Sequence, residues 1–140
     1  MKKPFRLVYL IDDDPTFNFI TKLMLKKISF AEEIIDFVDA GDALSKLQQV
    51  ADTERLNFPE LIFLDLNMPG MDGWDFLDEY QLLPRKLVQQ CKLYILTSSI
   101  DPIDKSKSLD YSCVADFITK PLALATVNRI SESNHNAAAE

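Results

Sequence analysis

The chain has 140 residues, enough for one domain with a substantial core. Its composition, 47% hydrophobic and 26% charged, is globular and excludes a long disordered segment. A net charge of -7, from 22 acidic against 15 basic residues, argues against nucleic-acid binding through a basic face and leaves cation binding open.

Cys91 and Cys113 form no spacing motif, so a disulfide scaffold is not indicated. No apolar run approaches ~18 residues, and the start of the chain lacks the length and cleavage site of a signal peptide. A cytoplasmic protein without membrane insertion is the expectation.

The first apolar run, Leu7 to Ile11, stops at Asp12, Asp13 and Asp14. Pro15 suits the first position of a helix, which makes Asp14 a natural N-cap. Phe17, Ile20, Met24 and Ile28 follow at helical spacing and predict an amphipathic helix of about four turns. Glu33 to Val38 reads as a second strand, and Asp39 caps a helix over 40–51 with Leu44, Leu47 and Val50 or Ala51 inward.

A polar connection leads to Leu61–Leu64, four consecutive apolar residues that read as a strand buried on both faces. It ends at Asp65, below a loop built from Asn67, Pro69, Gly70, Asp72 and Gly73. Asp72 fits a loop role better than a metal role. Trp74, Leu77 and Tyr80 mark a short helix that Pro84 ends or breaks, and residues 85–90 form an extra turn. Residues 93–96 make a fourth strand ending in Thr97, Ser98 and Ser99, and Asp101-Pro102 opens a weak helix to about Tyr111. A fifth strand, 114–118, ends at Thr119, Lys120 and Pro121. A last helix over 122–132 leaves 133–140 as a flexible tail, whose His135 is not expected to act in chemistry.

Strand and helix alternate five times, which predicts an α/β doubly wound parallel sheet with helices on both faces. One sheet edge then collects Asp12 and Asp13, Asp65, Thr97 and Lys120. Clustered carboxylates either rise in pKa or share a cation, and an all-oxygen set suits Mg²⁺. A carboxylate nucleophile, a hard cation, a lysine and a hydroxyl together describe a phosphoryl-transfer site.

Four motifs, in order Leu-Ile-Asp-Asp-Asp-Pro, Leu-Asp-Leu-Asn-Met-Pro-Gly-Met-Asp-Gly, Leu-Thr-Ser-Ser and Phe-Ile-Thr-Lys-Pro-Leu, resemble the receiver domain of two-component response regulators over roughly residues 5–132. The stand-alone, chemotaxis-regulator type is the nearest in form. The resemblance implies a flavodoxin-like strand order 2-1-3-4-5, a receiver domain over 1–132 and a cis Lys120–Pro121 bond. Asp65 matches the phosphoacceptor. Asp13, Asp65 and the Asn67 backbone carbonyl match direct Mg²⁺ ligands, with Asp12 acting through water. Lys120 matches the residue that pairs with Asp65 and then with the phosphoryl group, and Thr97 and Phe117 match the switch pair.

The partners implied are a sensor histidine kinase or phosphotransfer protein and a downstream protein target, with the oligomeric state left open. With no output domain expected, either the signal leaves by protein contact or the domain serves as a phosphate relay or sink. Such a domain is no enzyme beyond its own phosphorylation and dephosphorylation. Two rivals are a haloacid-dehalogenase-type phosphatase, which wants a second Asp where Asn67 stands, and a constitutive receiver-like adaptor.

Overall fold

A computed structural model describes residues 5–139, with side chains for residues 5–133. The His135 side chain and residues 1–4, with the Met1-Lys-Lys start, lie outside what it describes. Five strands, β1 (Phe5–Ile11), β2 (Ala31–Phe37), β3 (Leu61–Leu64), β4 (Lys92–Thr97) and β5 (Val114–Thr119), form one sheet in the order β2-β1-β3-β4-β5. All four pairings are parallel. Helices α1 (Pro15–Lys27), α2 (Ala40–Thr53), α3 (Gly73–Tyr80), α4 (Arg85–Gln90) and α5 (Pro102–Ser108) lie in the crossovers, and α6 (Leu124–Ala139) follows β5.

The unbroken apolar runs follow from this layering. In β3, Ile62 and Leu64 enter the core shared with α2 and α3, while Leu61 and Phe63 enter the core shared with α1 and α6. Alternate side chains of one strand serve opposite layers, so no position is left for a polar residue. Burying each of these side chains contributes roughly 1.5–3 kcal/mol.

The caps also match the sequence. Asp14 accepts hydrogen bonds from the Thr16 and Phe17 amides, and Asp39 accepts one from Asp42. Asp101 does the same for Ile103. Asp72 forms a reciprocal capping box with Asp75, the loop role expected of it.

Several elements depart from the sequence pattern. The inward face of α1 is set by Asn18, Thr21 and Leu25, with Phe17, Met24 and Ile28 half-buried at its margins, and Ile20 is 60% exposed. The apolar count misses this because two polar side chains hold the centre of the face. Residues 85–90 form a complete helix, α4, and α5 stops at Ser108 rather than near Tyr111. Helix α6 begins at Leu124 and runs through residues assigned above to a tail. Three alanines at 137–139, the strongest helix formers, fall in that stretch.

Candidate functional site

Asp12 and Asp65 follow β1 and β3 directly, and Thr97 and Thr119 are the last residues of β4 and β5. Backbone hydrogen bonds tie these ends together: Asp65 N–H to Ile11 O at 2.9 Å, and Lys120 N–H to Thr97 O at 2.8 Å. The expected convergence occurs. Carboxylate oxygens of Asp12, Asp13 and Asp65 all lie within 4.8 Å of one another. Lys120 Nζ sits 2.5 Å from Asp12 Oδ2 and 3.7 Å from Asp65 Oδ2. The Lys120–Pro121 bond is cis. The lysine thus bridges two carboxylates, with Asp12 the nearer, where the resemblance points to Asp65 alone.

Asp12 and Asp65 are 1% and 5% exposed, so both are deprived of most of their water. Burial pushes the Asp65 carboxyl above its ordinary range, and the neighbouring Asp12 pushes it the same way. Lys120, the Asn67 backbone N–H and the Thr97 hydroxyl oppose that rise without cancelling it. Asp65 Oδ1 is buried and has no hydrogen-bond partner. An orphaned carboxylate oxygen facing two other acids fits a hard divalent cation, which would satisfy all three at once.

Asp13, unlike its neighbours, is exposed and stands at the mouth. Phe117 is half-buried beside the α2–α3 core, between the outward and fully buried positions expected of a switch aromatic. Trp74 stacks on Tyr111 at 5.6 Å under Lys107 and so packs between α3 and α5.

Two contributors escape a reading by motif. Asn18, fully buried on α1, donates from Nδ2 to the Asp12 carbonyl at 2.9 Å and fixes the acidic turn. The Phe17 ring lies 4.2 Å from Lys120 Nζ, a cation–π contact that steadies the lysine. A polar residue at the centre of an apolar helix face was the available signal for Asn18. The loop above Asp65 depends on two glycines. Gly70 has φ +75°, and a Cβ on Gly73 would lie 2.7 Å from the Asp65 carbonyl.

The model of the response regulator receiver domain matches residues 8–131. The chain belongs to that family. Among curated receivers, response regulator Rcp1 of Synechocystis is 29% identical over 119 residues, covering 84% of this chain and 78% of Rcp1. The cell cycle response regulator CtrA of Brucella ovis is 32% identical over 114 residues, but the chain spans only 43% of that protein. A solved two-component response regulator from Cytophaga hutchinsonii superposes with a TM-score of 0.86 at 28% identity, covering 96% of this chain and 99% of its own. The Mn(2+)-bound form of Rcp1 superposes at 0.71 with 26% identity, over 91% and 90%. Receivers are phosphoacceptor domains that take phosphoryl groups from histidine kinases, act on downstream targets and signal in a phosphorylation-dependent way. The acidic pocket of Asp12, Asp13 and Asp65 fits that role and a divalent metal. No helix among the described residues is long and apolar enough to cross a membrane.

Proposed function

We propose that Asp65 accepts a phosphoryl group from the phosphohistidine of a sensor kinase or phosphotransfer protein, with Mg²⁺ as cofactor, and that the product controls binding to a downstream protein. The observation that carries this reading is the buried Asp65 carboxylate, with one unpartnered oxygen, among Asp12, Asp13 and Lys120. Asp12, Asp13, Asp65 and the Asn67 backbone carbonyl are the groups that would hold Mg²⁺. When bound, Mg²⁺ supplies charge neutralisation for the phosphoryl oxygens.

An Asp65 oxygen attacks phosphorus, the P–N bond to the donor imidazole breaks and its electron pair stays on the ring nitrogen; the ring leaves as neutral imidazole, its other nitrogen already carrying a proton or the freed nitrogen taking one from water. Lys120 offsets the charge that gathers on the transferred group, and Thr97 donates to one of its oxygens. Phe117 follows Thr97 inward. Catalysis here is positional and electrostatic, so the domain acts on itself and turns over no separate substrate. Support for a receiver unit over residues 1–132 comes from the family match ending at residue 131. A phosphohistidine donor and free Mg²⁺ belong to the cytoplasm, where we infer that the domain works.

Incubation with acetyl phosphate and Mg²⁺, followed by intact-mass measurement, tests the assignment. One phosphoryl gain that disappears in Asp65→Asn is expected. Hydrolysis of a generic phosphomonoester without a covalent adduct, or an adduct that survives Asp65→Asn, would overturn it.

A further inference from the structure

The path from Thr97 toward α5 is built from hydrogen bonds. Thr97 is fully buried with its hydroxyl beside Asp65, and Oγ1 also accepts from the Ser99 N–H at 3.3 Å. Ser99 Oγ in turn donates to Asp104 Oδ2 at 2.6 Å and accepts from the Asp101 N–H at 3.3 Å. Asp104 lies in the first turn of α5.

Apart from the Asp101 cap on the Ile103 N–H at 2.9 Å, little else fastens that turn. Within α5 only Ser108 is buried, while Ile103 and the preceding Ile100 are 72% and 86% exposed. A turn without an apolar anchor takes its position from its polar ties. The strongest at its N-terminal end is a short hydroxyl-to-carboxylate bond, of the charge-assisted kind that outweighs a neutral one.

We infer that Asp104 is a positioning residue for Thr97: through Ser99 it locks the loop after β4 in the arrangement that aims the Thr97 hydroxyl at Asp65 before any phosphoryl group arrives. The inference rests on the phosphoacceptor reading of Asp65 given above. If the lock breaks, the Ser99 amide swings away, Thr97 loses the N–H that orients its oxygen, and a smaller share of molecules presents the hydroxyl correctly. Phosphorylation then draws on that smaller share. Coupling runs from the rim of α5 into the pocket, so a partner that grips Asp104 would also loosen Thr97.

The test uses the full chain with acetyl phosphate and Mg²⁺, comparing initial phosphorylation rates of Asp104→Ala, Ser99→Ala and Asp104→Asn. A loss of about fivefold, the weight of one hydrogen bond, is expected for the first two. Asp104→Asn, which keeps an acceptor oxygen, should recover most of the rate. In a Thr97→Ala background, Asp104→Ala should cost nothing further, because its effect passes through Thr97. An equal loss in both backgrounds would mark a merely structural role and overturn the inference. The Ser99 amide resonance of the unphosphorylated protein gives an independent readout. It should move in Asp104→Ala, and an unmoved resonance refutes the lock even if the rates fall. Failure of the wild-type chain to gain a phosphoryl group would instead sink the reading of Asp65, and the Ser99 resonance would still decide whether the lock exists.

Discussion

Lys120 is the sole cation that the described structure places among two buried carboxylates, and its removal should be costly in a way that pH reports. Consider Lys120→Met, which keeps the apolar stem against Phe17 and deletes the charge. Breaking a buried ion pair by removing one partner costs about 3–5 kcal/mol, because the other charge is left uncompensated. The Lys120 side chain is 17% exposed, so some solvent screening remains and about 3 kcal/mol is the expected loss near neutral pH without metal. By the usual scaling this is roughly a 6–12 °C fall in Tm.

The sign of the pH dependence follows from Asp65. Its folded pKa is raised above the ordinary carboxylate value, so the folded state binds the proton more tightly than the unfolded state does. Its contribution to stability is therefore full below the unfolded value and declines as pH rises through the folded one. Removing Lys120 takes away the main opposing charge and raises that pKa further, so the variant should lose stability more steeply with rising pH. Urea unfolding followed by circular dichroism across the acidic to neutral range measures both curves. Equal stabilities near neutrality, or a gap that does not narrow on acidification, would refute the electrostatic account.

Other expectations are narrower. Gly73→Ala forces a Cβ to within 2.7 Å of backbone on both the Asp65 and Leu66 sides, so it should cost about 1–3 kcal/mol in urea unfolding; a cost under ~0.5 kcal/mol would mean that the loop yields freely. Tyr9 and Tyr111 phenols are pushed up to about 12, the first by burial and the second by its bond to Asp78, and burial also raises Tyr80 and Tyr94. Spectroscopic titration of the native protein should then show the tyrosines ionising above the ordinary value, with Tyr9 and Tyr111 near 12, and the Tyr111 contribution to stability should be lost as pH rises toward 12. Mg²⁺ at one hundred times its Kd should stabilise the wild type by about 2.7 kcal/mol, and chelation should reverse it. In Asp13→Ala most of that gain should vanish from the thermal melt; its persistence would mean the cation binds elsewhere.

The layered sheet was legible because burial on both faces leaves an unmistakable mark: Leu61–Leu64 and Leu7–Ile11 have no polar interruption. The convergence of Asp12, Asp65, Thr97 and Lys120 was legible for a topological reason, since parallel strands present their carboxyl ends on one edge. What resisted was anything decided by side-chain direction rather than by spacing. Ile20 counts as apolar yet faces solvent, while Asn18 and Thr21 are buried, because α1 is oriented partly by the hydrogen bond from Asn18 to Asp12. The nearer approach of Lys120 to Asp12 than to Asp65 is likewise a matter of ångströms that no motif encodes. Helix α4 lacks side-chain capping and has one buried residue, Leu87, so its sequence carries little periodic signal.

The energetics of the switch lead one step further. On the proposed assignment, a charged hydrogen bond from Thr97 to the phosphoryl group contributes about 1.5–3 kcal/mol. Full burial of an aromatic such as Phe117 would add roughly 1.5–3 kcal/mol, but the ring is already half-buried, so at most about half of that remains to be gained. Inverting a 1:99 equilibrium requires about 5.5 kcal/mol, and these two sources fall short of it. Phosphorylation alone should therefore leave a mixed population, and the downstream partner must supply the rest by binding the active form preferentially. The Phe117 ring resonances make this measurable. In the fully phosphorylated protein they should average over the two forms, and a saturating partner should carry them further toward the active position. Resonances already at that end point before the partner is added would show that the phosphoryl group completes the transition unaided and that Phe117 or Lys120 contributes more than its present burial allows.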